Sequence, residues 1–195
     1  MYFKEGFKKG EILKMNKVEP IRDKKLISEI KTVLMKDNYR NYLMFVLGIN
    51  TGLRIGDMLK LKVEDVRNKT HILLKEQKTD KTKKLFINSA LRDEIDKYIK
   101  NMADYEYLFQ SRNGNNQPLS RSQSYRIFNK AGKKVGLEHI GNHSTRKTFG
   151  YFHYKKYKDV ALLQELFNHS APSITLDYIG INQDVMDNSL ENFYL

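Results

Sequence analysis

The chain has 195 residues, 40% of them apolar and 30% charged, with a formal net charge of +12 and no cysteine. That length buries one sizeable core, the composition is that of an ordinary soluble globular domain, and the missing cysteines exclude disulfides and thiolate metal sites, which suits a reducing, cytoplasmic compartment. No apolar run approaches the roughly 20 residues that span a bilayer and no signal peptide opens the chain, while the charge favours a polyanionic partner.

Residues 1–20 are Lys-rich, carry Gly6 and Gly10 and show no periodicity, so they read as a flexible basic leader ending at Pro20. Asp23 is placed to cap a helix with Leu26, Ile27, Ile30, Val33 and Leu34 on one face. A second helix begins near Asn38, carries Tyr42, Phe45, Val46 and Ile49 as its stripe, and stops at Gly52. Asp57 caps a short helix through Met58, Leu59 and Leu61. From Thr70 the period changes: His71-Ile72-Leu73-Leu74 and Lys84-Leu85-Phe86-Ile87 flank a turn and predict a β-hairpin with a basic tip.

Asn88 or Ser89 starts a helix with Leu91, Ile95, Tyr98, Ile99 and Met102 inward, and Tyr107-Leu108-Phe109 adds a short strand. Ser120 opens a basic helix with Tyr125, Phe128, Ala131 and Val135 inward, ended by Gly136. Asn142 caps the next helix, Val160, Leu163, Leu166 and Phe167 mark another, and Pro172 sits in the first turn of the helix that reaches Tyr178. The fold class expected is α+β: mostly helical, with one small antiparallel sheet of three strands or a hairpin plus one. Three segments follow: a leader over 1–20, a main domain over 21–180 and a tail over 181–195.

The tail is different in charge. From Asp159 onward there is no Lys or Arg but six acids, which leaves about +18 on residues 1–158. The basic surface lies in the first four-fifths, and the amphipathic tail, with Val185, Met186, Leu190 and Phe193, is a better protein ligand than DNA ligand.

Several polar residues stand in unusual contexts, each with an ordinary reading beside the functional one. Arg54 projects from a turn after a helix end, as a surface arginine, an ion pair with Asp57, or a phosphate ligand held by that carboxylate. Lys78 sits where a strand meets its turn, either solvated or delivered to a phosphate. His143 and Arg146 share a face at a helix start, where free N–H groups and the dipole favour an anion. His169 follows an apolar helix, where a lone His is usually structural, and Tyr178 is one of twelve tyrosines.

Together the segments are more specific. TGLRIGD (51–57), EQKTDKTKK (76–84), HSTRKTFG (143–150) and NHSAPSITLDY (168–178) resemble the tyrosine recombinases, or phage integrase family, over roughly residues 20–180. The resemblance implies a catalytic-domain fold and a DNA breaking-and-rejoining enzyme. In it Arg54 and Arg146 clamp the nonbridging oxygens of the scissile phosphate, and Tyr178 attacks phosphorus to give a 3′-phosphotyrosyl enzyme. His143 is the proton acceptor or a phosphate ligand, Lys78 the acid for the leaving 5′-oxygen, His169 a donor to the phosphate, and Asp57 the residue that orients Arg54. Lys81, Lys83, Lys84, Arg121, Arg126 and Lys147 are expected as DNA phosphate neighbours. No cofactor and no metal are expected, because the residues supply cationic donors instead of an acidic cluster.

The partners implied are double-stranded DNA and further copies of the chain, four around a synapse. Phe167-Asn168 replaces a frequent Leu-Gly and Lys147 a frequent His. About 20 residues precede the core where relatives carry an N-terminal domain, so a minimal enzyme, a fragment, or reliance on an accessory DNA-binding protein are all open. The rival functions are strand nicking and resealing of the type IB topoisomerase kind, and a noncatalytic DNA-binding protein on the same fold.

Overall fold

The computed structural model describes residues 18–75, 82–181, 190, 191, 193 and 194. Among them the chain forms eight α-helices: α1 (Lys24–Asp37), α2 (Tyr39–Thr51), α3 (Ile55–Met58), α4 (Ser89–Ile99), α5 (Arg121–Lys134), α6 (Asn142–Tyr157), α7 (Val160–Phe167) and α8 (Pro172–Tyr178). Strands β1 (His71–Lys75) and β2 (Thr82–Phe86) lie between α3 and α4 and pair antiparallel, with Ile72 opposite Leu85.

The helix boundaries are local chemistry. The Asp23 carboxylate accepts from Lys25 N–H, and Asn38 separates α1 from α2, where its carbonyl oxygen accepts from Arg40 N–H. Asn88, Ser120 and Asp159 do the same for α4, α5 and α7. Gly52 closes α2 at φ +63°, a left-handed turn that suits a residue without Cβ. Pro172 stands at the start of α8, where its missing N–H costs nothing.

Helix α2 is the hub. It packs against α1, α4 and α6, and it buries Leu43, Met44, Phe45, Val46 and Leu47 in succession, so it is covered on nearly all sides. This main core takes in Ile30 and Leu34 of α1, Leu91, Ile95 and Ile99 of α4, and Phe128 and Ala131 of α5. A smaller core of Leu163, Phe167, Ile179 and Ile181 joins α7 to the end of α8, with Phe149 of α6 packed against it. Helix α6 therefore lies between two cores. Residues before α1 are tied down too: Ile21 is buried, its N–H donates to Thr148 Oγ1 at 2.9 Å, and Arg22 Nη2 donates to the Gly180 carbonyl at 3.1 Å.

Four details differ from the sequence reading. Tyr107–Phe109 forms no strand; Tyr107 makes a single bridge to Lys62 and Gln110 one to Pro118. The cap of α6 is Gly141, whose N–H donates to Ser144 Oγ at 3.0 Å, and Asn142 is instead the first residue of the helix. Arg54, not Asp57, precedes α3, because the helix begins at Ile55. Tyr125 is 48% exposed instead of inward, since Phe128 and Ala131 already occupy the buried face of α5. The hairpin tip, 76–81, and most of the tail lie outside the described residues.

Candidate active site

The ends of α2 and α7 meet on the side of α6 that carries Arg146. This arginine is 3% exposed; its Nη1 donates to the Gly52 carbonyl at 2.5 Å and its Nη2 to the Phe167 carbonyl at 2.8 Å. Both acceptors sit at helix C-termini, whose dipoles favour a cation. Arg54 Nη2 donates to the same Phe167 oxygen at 3.3 Å. Two guanidiniums from distant parts of the chain thus converge on one carbonyl, and the Phe167 ring lies 4.2 Å from Arg146 Cζ. A guanidinium presents its N–H donors in a rigid planar fork, and carbonyl contacts of this kind orient it.

Tyr178, the last residue of α8, presents its hydroxyl to this pair. His143 Nδ1 is 3.2 Å from the hydroxyl, and Arg146 hydrogen-bonds to it. Burial pushes the phenol pKa up, and Arg146 and Arg54 pull it back down. His143 is pushed below its ordinary value, first by burial, then by Arg146, Lys147, Arg54 and Arg121. The imidazole is therefore neutral at pH 7, the form that accepts a proton.

His169 follows Asn168, whose φ of +51° turns the chain back, so that the His169 ring stands edge-on to Tyr178 with centroids 5.2 Å apart. Its Nδ1 is 3.0 Å from Thr175 Oγ1. The threonine hydroxyl also donates to the Ala171 carbonyl at 3.4 Å, so His169 is tied through Thr175 to the start of α8.

The other expected residues divide. Lys83 points inward beside Leu85, and its ammonium donates to the Leu166 carbonyl. Lys84, on the opposite face of the strand, is exposed. Lys78 and Lys81 lie outside the described residues. Asp57 is 7% exposed and shares with Arg54, Arg121, Tyr125 and His143 the wall of a cleft of about 530 Å³. Arg126 is exposed on a different side of α5, where it borders a groove with Lys130 and Lys134. Lys147 is 5% exposed, with its ammonium 5.1 Å from the centre of the Tyr178 ring. It follows Arg146 on a helix enclosed by two cores, so its side chain stays inside.

Three contributors were invisible in the sequence. Thr175 is fully buried and positions His169. Asn142 ties the start of α6 to α5, donating to the Arg121 carbonyl at 2.9 Å and accepting from Ser124 Oγ at 2.9 Å. The Phe167 carbonyl orders both arginines, and a backbone oxygen carries no sequence signal at all.

Comparison with known proteins agrees with this geometry. The chain is 49% identical over 170 residues to the protein named "Probable integrase/recombinase YoeC" of Bacillus subtilis (strain 168), covering 87% of this chain and 93% of that one. Its fold matches the crystal structure of XerA recombinase with a TM-score of 0.73 at 20% identity, covering 91% of this chain and 66% of that one. It also matches the XerH site-specific recombinase bound to palindromic difH substrate, a post-cleavage complex, with a TM-score of 0.67 at 20% identity, covering 91% and 54%. At such identities the two structures speak for the fold alone, and the chain spans roughly half to two thirds of their length. The model of the phage integrase family matches residues 20–184, a stretch that takes in Arg54, His143, Arg146, His169 and Tyr178, and the chain belongs to that family, the tyrosine recombinases, which are DNA strand transferases.

Proposed function

We propose that the chain is a site-specific DNA recombinase that cuts and rejoins duplex DNA through a covalent bond between Tyr178 and a 3′-phosphate. The observation that carries this is the 3.2 Å approach of His143 Nδ1 to the Tyr178 hydroxyl beside two arginines that share the Phe167 carbonyl. The Tyr178 oxygen attacks phosphorus, its proton passes to neutral His143, and the P–O5′ bond breaks. Arg54 and Arg146 take the nonbridging oxygens, where charge accumulates, and His169 donates to one of them. Lys78, outside the described residues, supplies the proton to the departing 5′-oxygen. Attack by a 5′-hydroxyl reverses the sequence and reseals the strand, so no nucleotide triphosphate is consumed.

Duplex DNA is the substrate this chemistry requires, and a relative solved on its DNA substrate supports it. Lys81, Lys84, Arg121 and Arg126 are the phosphate contacts of the reading. Recombination needs cleavage of both strands of two duplexes, hence four copies of the chain, with the tail as the segment that docks on a neighbour.

The test is covalent trapping. Nicked, labelled duplexes with a randomised core are incubated with wild-type protein and with Tyr178→Phe. The expected result is a detergent-resistant protein–DNA adduct from wild type only. An adduct that survives in Tyr178→Phe, or none from wild type on any duplex, overturns the nucleophile assignment.

A further inference from the structure

Among the described residues, Lys147 is a buried cation beside Tyr178 to which the chemistry above gives no task. His143 and Lys147 are four residues apart on α6 and therefore stand on one ridge of the helix. Tyr178 lies along that ridge: His143 meets its hydroxyl, and the Lys147 ammonium lies over its ring.

The neighbouring aromatic rings meet Tyr178 edge to face. Phe167 is 5.6 Å away at 80° and His169 5.2 Å away at 75°. Lys147 adds a cation over the π-face, where the ring quadrupole is negative. When the phenol loses its proton, negative charge spreads into the ring, and the attraction to an ammonium over that face grows.

We propose that Lys147 is a positioning residue for the nucleophile: its ammonium holds the Tyr178 ring in place and favours the ionised phenol. The proposal rests on Tyr178 being the nucleophile. Among the described residues, the other charged or titratable groups around the phenol include His143 and Arg146 from α6, Arg54 from the turn before α3, His169 from the turn before α8, and Asp177 on its own helix. Arg54 and Arg146, which also favour the ionised phenol, are retained in every Lys147 variant.

The experiment needs no DNA. A difluorotyrosine, whose phenol ionises nearer neutral pH, is placed at position 178 by codon suppression, and its fluorine resonance is titrated in the wild-type background, in Lys147→Met and in Lys147→Arg. Lys147→Met is expected to raise the phenol pKa by about one unit, a tenfold loss of phenolate at a given pH. Lys147→Arg, which keeps the cation, is expected to titrate close to wild type. Lys147→Gln serves as a second neutral variant if the Met variant does not fold. An unchanged titration in a folded neutral variant overturns the proposal, and so does failure of both neutral variants to fold, which assigns Lys147 to stability alone. Because the reading is fluorine titration, its failure is distinct from the absence of a Tyr178-dependent adduct.

Discussion

At the scale of single residues, the site is a problem of proton placement. Tyr178 is buried, which makes its phenol a weaker acid than usual, so the proposed attack needs a partner that takes the proton. His143 is lowered below 6.5 by burial and by a surrounding set of cations, which leaves it neutral and receptive. The sign follows directly: protonation at low pH removes the acceptor, so adduct formation is expected to fall as pH drops through that lowered value and to be at its plateau at pH 7. Adduct rates measured between about pH 5 and 8 should show this limb. His143→Gln keeps a hydrogen-bonding side chain without a titratable nitrogen. It should lose the limb and slow adduct formation by about 10²–10⁴-fold, the range of general base catalysis. An unchanged rate would leave His143 as a phosphate ligand only.

At the scale of elements, the catalytic helix is held by close contact with α2. A Cβ built on Gly48 falls 2.8 Å from Thr145 Cβ, nearer than side-chain carbons approach, so α6 can sit this close only while position 48 has no side chain. Gly48→Val should therefore push α6 away, lowering stability by about 1–3 kcal/mol in urea unfolding, the usual cost of overpacking. It should also depress adduct formation, because Arg146 one residue after Thr145 must reach both Gly52 and Phe167. Loss of activity without loss of stability would contradict this coupling. The same helix explains what the sequence conveyed and what it did not. Helices α1, α2, α4 and α5 were legible because capping and apolar spacing are local properties, readable at Asp23, Asn38 and Ser120. Helix α6 buries Ser144, Thr145, Arg146, Lys147 and Thr148, so hydropathy gives it no inward face. The six motif residues were found by resemblance; five of them gather and Lys78 lies outside the described residues, while the depth of Lys147 and the contacts of Asn142 depend on segments distant in sequence, and Thr175 meets His169 only through the turn before α8. Tyr107–Phe109 failed for a related reason, since the bridge of Tyr107 is to Lys62, far along the chain.

At the scale of the whole molecule, the charge is divided between two tasks. Residues 1–158 carry about +18 and the remainder none but acids, so neutralising Lys84, Arg121 or Arg126 should weaken duplex binding without regard to sequence, each reducing the salt slope by about 1. The tail obeys the opposite logic. Ile181, 9% exposed, is the last apolar residue of the smaller core. Beyond it, Leu190 and Phe193 are each 64% exposed and Tyr194 97%, apolar surface left largely open among the described residues. Deleting residues 182–195 removes that surface together with Asp184, Asp187 and Glu191, and it takes no described residue from either core. The truncated chain is more basic, so its binding to duplex DNA as a single copy should be equal to wild type or tighter. Complexes of more than one copy, resolved by sedimentation on the same duplex, should diminish or vanish. Weaker single-copy binding would place the tail on DNA instead, and undiminished multimers would move the contact between copies to another surface.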